Sequence, residues 1–216
     1  GGTFIAPDGE ITANNPKAIE ALELARTWIN GISPEGVLNY DEEGSRGVFE
    51  AGNSIFHRNW GYVWGTSQAE GSSLLGKVGV MALPVGAEGE KSSGCYGAGL
   101  LGVSKYADDV DAAVSLVQYL TNAKEQKRRA LQGYSPTLKA LYQDAEILEK
   151  NPSLRFAEKA YAESASRPSQ VTGASYNRVS QRIFNGVHNV LSGKESAGDA
   201  LAKVSSDLER LKKRGW

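Results

Sequence analysis

From Asp108 to the C-terminus the sequence carries helix signals and nothing else, and that imbalance limits what the chain can fold into. Asp108 reads as an N-cap ahead of a helix whose Val110, Val114, Val117 and Leu120 share one stripe. "AKEQKRRALQGYSPTLKALYQD" reads as two helices split at Gly133-Tyr134, the second with Ser135 as cap and Pro136 in its first turn. Another helix is expected from Ser153 to Ser164. After "SRPSQVTG" comes a long helix with Val179, Ile183, Val187 and Val190 in register. Ala197, Leu201, Val204, Leu208 and Leu211 then line a terminal helix, and its tail "RLKKRGW" sets cations at the negative end of the dipole.

The first part of the chain offers only short strand runs against these helices. "TFIAPDGEITANNP" places a Pro-Asp-Gly turn between two alternating runs, a hairpin signal. Asn15 caps a helix with Pro16 at its first position, with Ala18, Leu22, Ala25 and Ile29 as its apolar stripe and Gly31 as its end. Residues 42–51 form a weak helix interrupted by glycines, "NSIFHRNW" reads as a strand, and "GYVWGTSQ" opens another helix. "GKVGVMALPVG" is a strand halted at Pro84, and "GLLGVSK" a second beyond a polar Gly-rich loop, a pattern that marks a crossing between lobes. These strands are too few to make a sheet for so many helices. An α/β chain whose remaining strands lie in a portion of the parent protein outside these 216 residues is expected.

Charge narrows the partners. With 24 Lys plus Arg against 25 Asp plus Glu, the net charge of -1 gives no electrostatic case for nucleic acid or for an acidic membrane surface. The single cysteine, Cys95, cannot close an internal disulfide and has no Cys partner for a structural zinc. No apolar run reaches the length of a membrane span. The opening "GGTFIAPDGE" has neither an initiator Met nor a signal peptide, so a processed or truncated start is expected and localisation is left open.

Catalytic patterns are weak. His57 and His188 lie far apart and read as ordinary histidines, and no nucleophile elbow or His-Glu-x-x-His run occurs. Asp41-Glu42-Glu43 reads as solvated first-turn charge rather than as half of a glycosidase carboxylate pair. "GAGLLG" at 97–102 lacks the strand, helix and spacing of a dinucleotide loop. The aromatic stretch "NWGYVW" says more. Pyranose rings expose C–H patches that stack on π surfaces while their hydroxyls take hydrogen bonds, and Trp60 and Tyr62 stand where a strand yields to a helix. Trp64, further into the helix, reads as core. Buried aromatics are the commoner explanation of such a stretch, so the residues by themselves leave both readings open. Arg167, ahead of Pro168 in a non-helical segment, is a natural multi-donor for ligand hydroxyls or carboxylates, or else a surface charge.

The order of these segments carries a resemblance. "DG…NNPKAIEALE", "GVFEAGNSIFHRNWGYVW", "GKVGVMALPVG", "GAGLLGVSKYADDVDAAVSLVQYLTNAKEQKRR", "GYSPTLKALYQD" and "RPSQVTGASYNRVSQRIFNGVHNVLSGKESAGDALA" together resemble the extracellular solute-binding proteins of bacterial ABC sugar importers, the maltose- and trehalose-type group. No single motif is specific, but their order matches over essentially the whole chain. The resemblance implies an incomplete, helix-rich C-terminal half of a class II periplasmic-binding-protein-like fold, two α/β lobes joined by crossover strands. Residues 1–80 and 145–216 would lie mainly in the C-terminal lobe and 86–140 in the N-terminal lobe, with crossovers near 81–86 and 140–145. It also implies a non-catalytic carbohydrate-binding component, periplasmic or extracellular, that takes a disaccharide or oligosaccharide without a cofactor. Its partners would be the membrane permease subunits and the N-terminal half of the same protein.

By the same resemblance Trp60 and Tyr62 stack on sugar. The glycine-rich turn before "GVSK" brings Tyr96, Gly97, Ala98 and Gly99 to the ligand, and Arg167 matches the arginine ahead of the last long helices. Gly99 stands where the family usually has Trp, which puts the familiar disaccharide preference in doubt and leaves Tyr96 to compensate. Two other classes stay open on the residues: a carbohydrate-processing enzyme, which needs a carboxylate pair at glycosidase spacing, and a helical interaction scaffold whose aromatics are buried.

Overall fold

A computed structural model describes residues 3–86 and 92–216, and divides the chain into two compact units, Gly1–Asp41 with Ser166–Trp216, and Glu42–Ala165. The polar loop after Pro84 that was expected at a lobe crossing includes residues 87–91, which lie outside the described residues.

The first unit is built on helices the sequence announces. Helix α1 (Pro16–Trp28) is capped by Asn15, whose side chain accepts from Ala18 N, and it ends at Ile29, just short of Gly31. After the single turn α8 (Ser169–Thr172), helices α9 (Tyr176–Leu191) and α10 (Ala197–Lys212) pack against each other and against α1. Val179, Val204 and Leu208 close over Ile5 and Ala13, while Val190, Ala197 and Ala200 close over Ile19 and Leu22. Glu23 accepts from Ala197 N at 2.9 Å, so α1 supplies one of the bonds that the first turn of α10 lacks. The hairpin expected near the N-terminus is present in miniature: Ile5 pairs with Ile11 across a turn that Gly9 closes with φ +85°.

The second unit begins with α2 (Glu42–Glu50) and α3 (Tyr62–Ser67) and continues through α4 (Val110–Thr121) and α5 (Ala123–Ala130). The cap of α4 is Asp109, one residue later than the sequence indicates, with Ala112 N donating to its carboxylate at 2.9 Å. Ala130, Leu141, Tyr142, Ile147 and Leu154 form the core beneath α5, α6 (Ala145–Lys150) and α7 (Leu154–Ala162).

The helix expected to start at Ser135 is absent, and only a 3-10 turn at Lys139–Gln143 forms there. Gln126 explains why. Its side-chain oxygen accepts from Thr137 N (2.8 Å) and Leu138 N (3.3 Å), while Tyr142 Oη donates to Pro136 O (2.6 Å), so 136–138 are pinned out of helical geometry. Burial raises the Tyr142 phenol above its ordinary pKa and keeps it a donor.

Next to Gln126, Arg128 and Arg129 hold the buried Glu125 carboxyl down at about 2. Because the folded value is depressed, this contribution is complete above the ordinary glutamate range and disappears as pH falls from about 4 through about 2. Glu125→Gln is therefore expected to flatten the acid limb of the stability curve over that window, read as denaturation midpoint against pH.

The strands expected at "NSIFHRNW", "GKVGVMALPVG" and "GLLGVSK" are not strands. Pairing among the described residues is limited to isolated bridges, Ile5 with Ile11, Ile29 with Ser33 and Cys95 with Ala165. A strand needs a neighbour to satisfy its ladder, and without one a β-prone run stays extended with its side chains in solvent. Ile55, Phe56, Met81 and Leu100 are accordingly among the most exposed large apolar residues.

Candidate ligand-binding site

The turn that carries Trp60 is tied down by the face of α2. Asn59 Nδ2 donates to Glu42 O at 2.9 Å, and Asn59 Oδ1 accepts from Trp60 N at 2.7 Å. The His57 ring stacks on Phe49 with centroids 5.0 Å apart, and its Nε2 lies 3.2 Å from both Ser45 Oγ and Asn59 Nδ2. Trp60 itself remains 43% exposed, directly ahead of α3. The indole therefore sits on a fixed backbone with much of its surface in water.

Tyr62, in the first turn of α3, is half-buried and its hydroxyl donates to Glu43. A charged lattice continues from that contact. Arg46 donates to Glu43 through Nε (3.0 Å) and Nη2 (2.6 Å), and to Glu50 through Nη1 (2.7 Å), while Thr66 Oγ1 donates to Glu50 at 3.0 Å. The Tyr62 hydroxyl and the Arg46 guanidinium hold the Glu43 carboxyl below its usual value. Burial, and then the hydrogen bond to Glu43, push the Tyr62 phenol up. Arg46, Glu50, Thr66, Ser72 and Ser73 line a depression of about 410 Å³ beside this lattice.

Helix α3 is seated by a backbone-to-backbone approach. A Cβ on Gly133 would come within 2.5 Å of Gly65 Cα, and Gly133 has φ +101°. Val63 and Ser67 face inward, so Tyr62 and Thr66 are turned toward α2. Trp64, expected in the core, is only partly buried.

The glycine-rich turn occupies a different neighbourhood of the same unit. Cys95 bridges Ala165, Tyr96 N donates to Ala165 O at 2.9 Å, and the exposed Tyr96 ring meets Tyr161 edge-on at 6.2 Å. Tyr161 in turn meets the buried Tyr142 at 6.1 Å. Gly97 is half-buried, and Ala98 and Gly99 are exposed. Arg167 is exposed and non-helical, as the proline after it implies, and belongs to the other compact unit. Among the described residues no group of His, Cys, Asp and Glu is arranged to hold a metal ion, and no helix is long and apolar enough to cross a membrane.

Sequence reasoning set aside Glu43 as solvated charge and His57 as ordinary, and did not single out Arg46, Asn59 or Thr66. The spacing of Glu43, Arg46 and Glu50 on one face of α2 is visible in the sequence. What faces them is not, because Tyr62 and Thr66 arrive from another helix.

Comparison with known proteins places the chain in a family. The bacterial extracellular solute-binding protein family matches residues 1–127. A probable ABC transporter-binding protein of Deinococcus radiodurans is 42% identical over 217 aligned residues, covering 100% of this chain and 51% of its own length. Among solved structures, maltose-bound MalE3 of T. maritima superposes with a TM-score of 0.90 at 31% identity, covering 98% of this chain and 54% of that one. An ABC transporter solute-binding protein of Agrobacterium radiobacter K84, in complex with ribitol, superposes at 0.80 with 21% identity over 97% and 53%, a likeness of fold.

The chain thus spans about half the length of the relatives it matches. It has the fold of a helix-rich portion of a two-lobe solute-binding protein, which also explains why its strand runs stand unpaired. An ordered series of individually weak motifs, a family match over residues 1–127 and a close superposition all converge: the chain belongs to the bacterial extracellular solute-binding proteins.

Proposed function

We propose that this chain carries part of the sugar site of the substrate-binding component of a bacterial ABC importer, working outside the cytoplasmic membrane. Its ligand is a carbohydrate, a disaccharide or oligosaccharide, held by stacking and hydrogen bonds. Function then comes from closure of the whole protein's two lobes and recognition of the closed form by the permease. The observation that carries this reading is Trp60, an exposed indole on a backbone fixed by Asn59, next to a Tyr62 ring whose hydroxyl is already anchored on Glu43. Aromatic faces held in place before the ligand arrives lose little freedom on binding. The maltose in one relative and the ribitol in another are both polyhydroxylated, which supports the ligand class.

The acidic residues nearby favour binding over bond cleavage. A glycosidase acid requires a raised pKa, whereas Glu43 is lowered and both Glu43 and Glu50 are occupied by Arg46. Tyr96, Gly97, Ala98, Gly99 and Arg167 join the proposal through the family resemblance, as do the lobe ranges 1–80 with 145–216 and 86–140. The exposed apolar runs, including Leu100 at 93% and Phe56 at 83%, are read as surfaces that the remainder of the longer protein covers.

Titration of the whole protein with maltose, maltotriose, trehalose and ribitol, followed by intrinsic tryptophan fluorescence, tests the reading. A saturable change with at least one saccharide is expected. A flat response to every sugar would remove carbohydrate as the ligand class.

A further inference from the structure

Trp60 is held through its backbone amide by Asn59, and Asn59 in turn faces the His57 ring, a group that can change charge. With Asn59 Oδ1 accepting from Trp60 N, the amide group of Asn59 turns its two hydrogens toward α2 and the His57 ring. One goes to Glu42 O at 2.9 Å, and the other faces His57 Nε2 at 3.2 Å, with Ser45 Oγ farther off at 3.5 Å. Ser45 Oγ, also 3.2 Å from Nε2, donates its own hydrogen to Glu42 O at 3.1 Å. The accounting closes when His57 is neutral with its proton on Nδ1, so that Nε2 accepts from Asn59.

We propose that Asn59 is the positioning residue for Trp60, and that protonation of His57 releases it, so that ligand affinity falls in mildly acidic surroundings; this rests on the assignment of Trp60 to the sugar site. Protonated His57 turns Nε2 into a donor. Ser45 Oγ can accept that hydrogen, but Asn59 then faces N–H with N–H and keeps only the long 3.5 Å contact to Ser45 Oγ in place of its second bond. Asn59 turns, its Oδ1 leaves Trp60 N, and the indole is no longer held.

The charged group that acts on His57 is Glu50; the other charged side chains nearby in sequence are Glu42, Glu43 and Arg46 on α2 and Arg58 on its own segment. Glu43 is bound by Arg46 and Tyr62, and Glu50 by Arg46 and Thr66. Burial of the ring lowers its pKa, and Glu50 pulls the other way with less force. The ring is therefore neutral at neutral pH. The arrangement is complete above about pH 6.5, the ordinary histidine value, and is lost as pH falls through the lower value of the folded ring.

Amide hydrogen exchange at Trp60, measured by NMR on the whole protein between about pH 7.5 and about pH 5, tests this. Protection corrected for intrinsic exchange is expected to fall about fivefold, the worth of one hydrogen bond, with its midpoint on the titration of the His57 ring protons. His57→Gln, which keeps an acceptor that does not titrate, is expected to hold protection flat. Asn59→Ala is expected to lower it at both ends of the range. Flat protection in the unsubstituted chain, the same fall in His57→Gln, or a midpoint set apart from the His57 titration overturns the proposal. The sugar assignment is read separately, by maltose titration of Trp60→Ala. Unchanged affinity there removes Trp60 from the ligand site, while the exchange data still decide whether Asn59 and His57 position it.

Discussion

Replacement of Trp60 by alanine is expected to weaken sugar binding by more than about tenfold while leaving the fold intact. Both halves of that expectation come from the same geometry. The indole is 43% exposed, and what anchors the segment is backbone and Asn59 rather than the ring, so truncation removes little packing. A change at such a position shifts stability by about 1 kcal/mol or less. A stacked sugar, by contrast, loses its largest flat contact, and an aromatic anchor of this kind carries a disproportionate share of binding energy. Fluorescence or calorimetric titration of the whole protein gives the affinity, and a thermal melt gives the stability. A lowered melting temperature in step with lost affinity would mean that Trp60 is structural after all.

Gly133→Ala is expected to do the opposite and strike the fold first. Its φ of +101° is a conformation L side chains rarely adopt, and the added Cβ would lie 2.5 Å from Gly65 Cα. Backbone stands on both sides of that contact, so no side chain can swing away. Strain and overpacking together put the loss at about 2–4 kcal/mol, several degrees in a melt. The approach seats α3, so the variant is also expected to disturb Tyr62 and to lower its contact with Glu43. Gly99→Ala is the control: a Cβ there meets nothing within 4 Å, and its melt is expected to be unchanged.

The sequence was legible wherever structure is decided locally. The α1 cap at Asn15 and the stripes of α9 and α10 depend on residues a turn or two apart, and all three helices stand where their signals place them. The runs at 53–60, 76–86 and 99–105 were misread because pairing is not local: β-prone residues make a strand only beside another strand. The 135–143 segment failed for a related reason, since Tyr142 donates to the Pro136 carbonyl that a helix would have used, while Gln126 reaches across from α5 to hold the amides of Thr137 and Leu138. At the site, the aromatic spacing singled out Trp60 and Tyr62 without deciding between cleft and core, whereas the parts of Glu43, His57 and Asn59 emerge only once α2 lies against the turn. Order of motifs conveyed the family better than any one residue did, because a fold shared across long divergence preserves sequence of elements more than identity of side chains.

The unpaired run after Lys77 has a further consequence. "VGVMAL", residues 78–83, is an uncharged, β-prone window with an open edge, the composition that drives chains to stack on copies of themselves. It is bounded by Lys77 on one side and Pro84 on the other, and the comparable run at 98–103 ends at Lys105. An ammonium at one end and a residue without an amide hydrogen at the other stop a stacked ladder from growing past the window. The same residues that leave the edge free for its proper neighbour thus act as gatekeepers until that neighbour covers it.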